Sequence, residues 1–226
     1  MSELTIEVGE NVRVSALPNL PARAMACYVF AHGAGAGMEH PSMVSIAEDL
    51  ATLGIATLRY QFPYMQNRSK RPDPPAVCHA TVRAAVAQAA RLAPGLPLFA
   101  GGRSFGGRMT SQAQALSPLP HVKGLLFLAF PLHPAKKPAT ERAKHLLDVQ
   151  IPMLFLQGTR DELASLDLLQ PLVEKLGERA TLKLAQDADH SFHVPAKSGR
   201  KDADVRRELL QHASEWMRKV IANEVI

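Results

Sequence analysis

The sequence of 226 residues lacks the means to hold its core by covalent or metal links. It has only two cysteines, Cys27 and Cys78, which lie far apart among apolar residues. We therefore expect both to be small buried side chains rather than a disulfide pair. Aromatic residues make up 5% of the chain, although 46% of its residues are hydrophobic. This composition excludes collagen-like, disordered and disulfide-scaffold proteins, and a chain of this length can bury enough surface to be stable without such links.

The charge is only mildly unbalanced. Lysine and arginine number 26 against 21 acidic residues, which gives a net charge of +5 and an isoelectric point near 9.4. The basic residues are scattered, and they form no stripe interleaved with aromatic residues, as nucleic-acid-binding proteins often have. The sequence therefore predicts a solvated basic surface and no nucleic-acid partner.

Long hydrophobic runs are also absent. No apolar run approaches the roughly 20 residues needed to cross a bilayer. The first eight residues alternate between polar and apolar, without the basic and apolar regions of a signal peptide. We expect no membrane association and a cytoplasmic location.

The chain does contain a regular alternation of short elements. Alternating patterns at residues 4–8 and 12–17 predict an antiparallel hairpin at one edge of a sheet. Further strands are predicted at residues 24–30, 55–60, 96–100, 122–130, 153–156 and 181–185, and helices at 41–53, 76–92, 105–116, 165–176 and 203–221. Alternation of this kind predicts one α/β domain over residues 1–226, a doubly wound and mostly parallel sheet that binds ligands at the carboxyl ends of its strands.

A serine follows the strand predicted at residues 96–100. The segment Gly102-Arg103-Ser104-Phe105-Gly106 matches G-x-S-x-G, the sharp strand-to-helix turn that exposes a nucleophilic serine. Glycines suit the flanking positions because larger side chains would collide across the turn. A glycine-rich turn with an incidental serine is the alternative.

An acid and a base follow two later strands, in the order that a Ser-acid-His triad takes on such a sheet. Asp161 comes after the strand at residues 153–156, and His190 comes after the last strand. Serine needs a histidine to accept its proton and a carboxylate to orient that histidine. Glu162 and His193 are the alternative acid and base, whereas Asp189, next to His190, is expected to be a turn residue.

The same histidines suggest a metal site as a weaker alternative. His190 and His193, with Asp187 or Asp189, are possible ligands. No third or fourth ligand lies close in sequence, and a metal site would leave the serine unexplained. We therefore predict no metal and no cofactor.

Backbone amides should stabilise the oxyanion that forms when Ser104 attacks a carbonyl. One donor is expected to be the amide of Phe105, and the other the amide of Ala34, with Gly35 next, in the small-residue loop at 32–37. Phosphate binding by this loop is the alternative, although the loop matches neither common phosphate-binding pattern.

Four motifs together, HGAG at 32–35, GRSFG at 102–106, GTRD at 158–161 and DHSF at 189–192, resemble the α/β-hydrolase superfamily. The segments at 62–65 and 130–134 are similar to the small dienelactone-hydrolase-like branch, which includes the testis-expressed and KAT8-complex-subunit type hydrolase-like proteins. The resemblance implies Ser104 as nucleophile, Asp161 as acid and His190 as base. Dienelactone hydrolase itself typically has cysteine where this chain has serine. For substrate contacts we propose Gly35, Tyr64, His133 and His193.

The segment at 133–150 is too short for a large lid, so the expected fold has a minimal cap or none, and a small open site. The sequence therefore predicts a serine hydrolase for a small carboxylic ester or thioester. The alternative is a catalytically silent, hydrolase-like scaffold that binds other proteins. Basic residues at 66–71, with Lys136 and Lys137, could attract an anionic substrate, or they could simply be solvated loop charges.

Overall fold

The computed structural model describes residues 3–223. Met1, Ser2 and residues 224–226, which belong to the predicted domain, lie outside the described residues. Eight strands form one sheet in the order β1-β2-β4-β3-β5-β6-β7-β8. They are β1 (Leu4–Glu7), β2 (Arg13–Asn19), β3 (Ala26–Ala31), β4 (Ile55–Tyr60), β5 (Leu98–Arg103), β6 (Val122–Leu128), β7 (Met153–Gly158) and β8 (Ala180–Ala185). Strands β3 to β8 pair in parallel, which confirms the predicted sheet.

The predicted edge hairpin is also confirmed. Strand β1 pairs antiparallel with β2, and β2 pairs antiparallel with β4. Strand β2 continues to Asn19, past the predicted end at Leu17, although Pro18 lacks an amide hydrogen. Pro18 is tolerated because the pairing with β1 ends at Ala16, so only β4 lies beside it.

Helices cover both faces of the sheet. The helices are α1 (Pro41–Thr52), α2 (Pro63–Gln66), α3 (Pro75–Leu92), α4 (Phe105–Leu116), α5 (Leu166–Leu176) and α6 (Asp202–Asn223). Buried residues of α1 and α6 belong to one hydrophobic cluster, and those of α3, α4 and α5 belong to another, so the two groups pack on opposite faces. Every residue of β3, β4 and β7 is buried, as expected of strands covered on both faces, although β4 contains Thr57 and Arg59 and β7 contains Gln157.

Cys27 and Cys78 are free and buried, one in β3 and one in α3, as predicted. Burial raises the pKa of each thiol to about 12, so neither is a reactive thiolate near neutral pH. Both side chains belong to the hydrophobic core.

The single tryptophan, Trp216, fixes α6 to the sheet. Its ring lies 5.5 Å from the ring of Phe99, centre to centre. A side-chain carbon built onto Gly124 would lie 2.7 Å from the Trp216 ring, so the absence of a side chain at Gly124 makes room for the indole. Phe99 and Gly124 are the second and third residues of β5 and β6, so this contact lies toward the amino ends of the strands.

The connection between β6 and β7 contains a 3₁₀ helix, Glu141–Asp148, and no further strand or α-helix. This agrees with the predicted minimal cap. Shorter 3₁₀ helices span Gly177–Arg179 and Ala196–Ser198. Within residues 3–223, no helix combines the length and hydropathy that a membrane span requires.

Candidate active site

Ser104 lies in a strained turn between β5 and α4. Its φ of 48° and ψ of −115° are rarely adopted by a residue with a side chain. Its amide is held by a 2.9 Å hydrogen bond to the carbonyl of Leu128 at the end of β6. A side-chain carbon at Gly106 would lie 2.5 Å from the carbonyl oxygen of His32, and one at Gly102 would lie 2.4 Å from that of Ala31. The two glycines are therefore needed to let α4 start this close to β3.

A chain of hydrogen bonds joins Ser104 to a histidine and a carboxylate. Nε2 of His190 lies 2.8 Å from Oγ of Ser104, and its Nδ1 lies 2.7 Å from Oδ2 of Asp161. The Asp161 side chain is fully buried, whereas the His190 side chain is 24% exposed. Because a carboxylate only accepts hydrogen bonds, Nδ1 of His190 carries the hydrogen, and Nε2 can accept from the serine hydroxyl.

The loop between β3 and α1 passes over the serine. A side-chain carbon at Gly33 would lie 3.8 Å from Cβ of Ser104. Ala34 and Gly35 follow at the exposed surface of the loop. Within residues 3–223, the amides of Ala34 and Phe105 donate no hydrogen bond, so both are available to a ligand. The two predicted oxyanion donors thus come from the loop after β3 and from the first residue of α4.

His32, at the start of this loop, is completely buried. Its Nδ1 lies 2.8 Å from the carbonyl oxygen of Gly33, and its Nε2 accepts a 3.0 Å hydrogen bond from the amide of Phe62. Burial lowers the pKa of His32 to about 4, with the bond to Gly33 acting in the opposite direction. The neutral ring therefore ties the loop to the segment that follows β4.

The sequence profile of the alpha/beta hydrolase domain family matches residues 24–218. The chain belongs to this family. Solved structures share the fold of this alpha/beta hydrolase domain. A dienelactone hydrolase from Anabaena variabilis is 22% identical, with 96% of each chain covered and a TM-score of 0.76.

Two other solved structures are similar to this chain over nearly the whole length of both chains. A lidless α/β serine hydrolase from Xanthomonas campestris is 23% identical, over 95% of this chain and 94% of that chain, with a TM-score of 0.73. Est1E from Butyrivibrio proteoclasticus, with ferulic acid bound, is 17% identical over 97% of this chain and 99% of its own, also with a TM-score of 0.73. At these identities the likeness shows the fold. The narrower resemblance to the testis-expressed and KAT8-complex-subunit type proteins stays a prediction.

Within residues 3–223, neither the alternative acid nor the alternative base forms a hydrogen bond with Ser104, whose partner is His190. The His193 side chain is 64% exposed, and its Nδ1 lies 2.8 Å from Oδ2 of Asp202 on α6. That bond raises the pKa of His193. Glu162 is exposed and has no hydrogen-bond partner among residues 3–223. Asp189 accepts hydrogen bonds from the amides of Ser191 and His193, as expected of a turn residue.

The proposed substrate-contacting residues differ in exposure. Tyr64 is 2% exposed, and its hydroxyl lies 3.4 Å from the amide nitrogen of Gly35, so it supports the loop over Ser104. His133 is also 2% exposed, and its Nε2 lies 3.2 Å from Oγ of Ser165. Contact of Tyr64, His133, His193 or Gly35 with a substrate stays a prediction.

The weaker alternative was a metal site, and the residues that the structure describes offer no ligand set for one. Across residues 3–223, no group of three or more histidine, cysteine or acidic side chains is arranged to hold a metal ion. His190 and His193 have separate carboxylate partners, Asp161 and Asp202.

Gln157 is the residue of this site that the sequence reasoning missed. It is completely buried, its Oε1 accepts a 2.9 Å hydrogen bond from the amide of Phe130, and its Nε2 donates to Oδ2 of Asp161. The amide of Leu163 donates to the other oxygen of Asp161 at 2.8 Å. Because only Oε1 can accept from Phe130, the side-chain amide is fixed with its hydrogens toward Asp161. The sequence offered one signal for this role, because Gln157 is a polar residue directly after the apolar run at 153–156.

Proposed function

We propose that the protein is a serine hydrolase that cleaves a small carboxylic ester or thioester. The observation that carries the proposal is the position of His190, with one ring nitrogen on Ser104 and the other on buried Asp161. The strained conformation of Ser104 supports it, because backbone strain of this kind concentrates at functional sites.

The proposed reaction has two steps. Oγ of Ser104 attacks the substrate carbonyl while Nε2 of His190 takes the hydroxyl proton, and Asp161 stabilises the imidazolium. The amides of Phe105 and Ala34 bind the oxyanion, in an interaction worth roughly 3–4 kcal/mol per donor. His190 then returns the proton to the leaving alcohol or thiol, which leaves an acyl group on Ser104. Water, activated by His190, releases the acid and restores the serine.

The preference for a small substrate is supported by the short connection between β6 and β7, whose only helix is Glu141–Asp148. Without a large cap, little protein surface is available to bury a long acyl chain. The lidless serine hydrolase and the Est1E complex with ferulic acid are compatible with a small ester, although both share only the fold with this chain.

The test is covalent labelling with a fluorophosphonate probe. We expect the wild type to be labelled and Ser104→Ala not to be labelled. We also expect His190→Ala to lower the hydrolysis of 4-nitrophenyl acetate at least about 1000-fold. His212→Ala, on α6, is the matched control, and its activity should stay near that of the wild type, whereas loss of activity in His193→Ala alone would identify His193 as the base. A folded wild type without serine-dependent labelling would favour the alternative, a silent scaffold.

A further inference from the structure

The loop between β3 and α1, residues 32–40, carries the proposed oxyanion donor Ala34, and we call it the oxyanion loop. Three of its nine residues are glycines, so its backbone loses much conformational freedom when it is held in one conformation. The position of the Ala34 amide relative to Ser104 therefore depends on the contacts that other parts of the chain make with this loop.

The β4 side of the oxyanion loop is held by several hydrogen bonds. Strand β3 lies between β4 and β5 in the sheet, so the loop that leaves β3 is flanked by the ends of those two strands. The amide of Met38 donates to Oε1 of Gln61 at 3.0 Å, and Nη1 of Arg59 donates to the carbonyl of Met38 at 2.9 Å. Two further hydrogen bonds join His32 and Gly35 to the segment that follows β4.

On the β5 side, the corresponding contact comes from Arg103, the last residue of β5 and the neighbour of Ser104. Its Nη1 donates a 2.9 Å hydrogen bond to Oγ of Ser42, in the first turn of α1. Its stem passes the other end of the oxyanion loop, since a side-chain carbon built onto Gly33 would lie 3.9 Å from Cγ of Arg103. Within residues 3–223, no other side-chain hydrogen bond joins residues 33–42 to β5 or to the turn that follows it.

The hydrogen bond from Arg103 continues into the oxyanion loop. A guanidinium group only donates, so the hydroxyl hydrogen of Ser42 is available for a second bond. Its acceptor is Nδ1 of His40, which lies 2.8 Å from Oγ of Ser42 and also accepts from the Ser42 amide. Burial lowers the pKa of Arg103, whereas the charges of Asp189 and Asp161 act in the opposite direction, and the guanidinium stays charged near neutral pH. The bond to Ser42 is therefore charge-assisted and stronger than a neutral one.

We propose that Arg103 is a positioning residue, which holds the amide of Ala34 at the distance from Ser104 that the oxyanion requires. The inference rests on the proposed hydrolase function. The hydrogen bonds on the β4 side do not fix this distance by themselves, because Ser104 belongs to the turn that follows β5. Stabilisation of an oxyanion depends closely on where its donors lie, so a small displacement of the oxyanion loop lowers kcat.

The first variant is Arg103→Met, which keeps an apolar stem and removes the donor. We expect kcat for 4-nitrophenyl acetate to fall about 5- to 50-fold and KM to stay within about threefold, because the oxyanion exists only after attack on the carbonyl. Rates are expressed per active site, after titration with the fluorophosphonate probe, so a partly unfolded sample does not imitate the effect.

A second measurement reports the oxyanion directly. The carbonyl carbon of 1,1,1-trifluoro-2-butanone bonds to Oγ of Ser104, the hydroxyl proton passes to Nε2 of His190, and the ketone oxygen becomes an oxyanion. The dissociation constant of this adduct should rise in Arg103→Met by a factor similar to the loss in kcat, about 5- to 50-fold.

Variants of Ser42 test whether Arg103 acts through this bond. Ser42→Ala removes the acceptor, and kcat should fall about 3- to 20-fold, whereas Ser42→Thr keeps the hydroxyl and should retain most of the activity. The double variant with Arg103→Met should lose no more than Arg103→Met alone, because both changes break the same contact. If Arg103→Met does not fold, Ser42→Ala and Ser42→Thr decide the question.

Arg206→Met is the matched control. Nε of Arg206 donates a 2.7 Å hydrogen bond to Oδ2 of Asp49, near the other end of α1, so this variant also removes an arginine that is bound to α1. Its kcat should stay within about twofold of the wild type. An unchanged kcat in Arg103→Met, additive losses in the double variant, or an equal loss in Arg206→Met would overturn the positioning role. If the wild type hydrolyses no ester and Ser104 is not labelled, the proposed function itself is wrong, and the inference with it.

Discussion

At the scale of single residues, Gln157 donates a hydrogen bond to Asp161, through which we expect it to act on the proposed reaction. Asp161 receives hydrogen bonds from His190, Gln157 and the amide of Leu163, which together fix its position. We expect Gln157→Leu to lower kcat about 10- to 100-fold with little change in KM, since the substrate does not touch this side chain. Steady-state kinetics with 4-nitrophenyl acetate measures the change.

Gln114 offers a matched control for this prediction. It is also a buried glutamine, and its Oε1 accepts a 2.8 Å hydrogen bond from the amide of Leu119, away from the active site. Both Gln→Leu variants should lose about 1–3 kcal/mol in the free energy of unfolding, because each leaves a buried amide unpaired. Only Gln157→Leu should lose kcat, and equal kcat values in the two variants would contradict a positioning role.

The sequence revealed some of these residues and concealed others. Ser104, Asp161 and His190 could be found because each follows a strand and because their order along the chain is characteristic. Gln157 belongs to no motif, and what it contacts depends on the packing of separate elements, because Phe130 and Asp161 reach it from the segments that follow β6 and β7.

At the scale of elements, the start of α4 depends on a close approach to β3. A side-chain carbon at Gly106 would lie 2.5 Å from the carbonyl oxygen of His32 and 2.7 Å from the carbonyl carbon of Ala31. Because these obstacles are backbone atoms, Gly106→Ala must displace the helix. We expect the free energy of unfolding to fall by about 1–3 kcal/mol, and kcat to fall as well, since the amide of Phe105 moves with the helix. Urea unfolding and kinetics measure the two effects.

Gly33→Ala is the control for this substitution. A side-chain carbon there would find its nearest atom at 3.7 Å, an ordinary contact, and Gly33 does not have a positive φ. Its free energy of unfolding should equal that of the wild type. If Gly106→Ala is equally harmless, the close approach of α4 to β3 is not a constraint.

The order and type of the main helices and strands could be predicted from hydrophobic patterns. The end residues of several of them could not. Strand β5 was expected at residues 96–100, whereas the structure has Leu98–Arg103. The strand starts later because Pro97 has no amide hydrogen for the ladder, and its carbonyl instead accepts from the amide of Cys27. It continues through Gly101, where a side chain would meet the backbone of Leu126 at 1.9 Å. Gly101, which the sequence pattern placed after the end of the strand, is thus needed inside the strand for close packing in the sheet.

At the scale of the whole molecule, part of the net charge of +5 lies beside the site. Lys136 and Lys137 are exposed in the connection after β6, and residues 66–71 are exposed after β4. We expect kcat/KM for mono-4-nitrophenyl glutarate to fall several-fold between about 20 mM and about 500 mM NaCl, because salt screens exposed charges. Lys136→Gln with Lys137→Gln should flatten this dependence without changing kcat. A similar salt dependence for a neutral ester of the same length, 4-nitrophenyl pentanoate, would rule out steering.

The arrangement of the whole sheet was the best predicted property. Parallel pairing, the antiparallel edge hairpin and the coverage of both faces all follow from which runs are continuously apolar and which alternate. The 3₁₀ helix Glu141–Asp148 and the short helix α2 escaped prediction because segments of four to eight residues carry too little periodicity.

The position of Trp216 gives the molecule a built-in optical reporter. As the only indole in the chain, it can be excited selectively, and its emission reports the docking of α6 on the sheet. Its partner Phe99 is separated from Ser104 by five residues along β5, about 16 Å in an extended strand. Ester turnover at one end of the sheet should therefore leave the fluorescence at the other end undisturbed. Unfolding can then be followed in the same cuvette as catalysis.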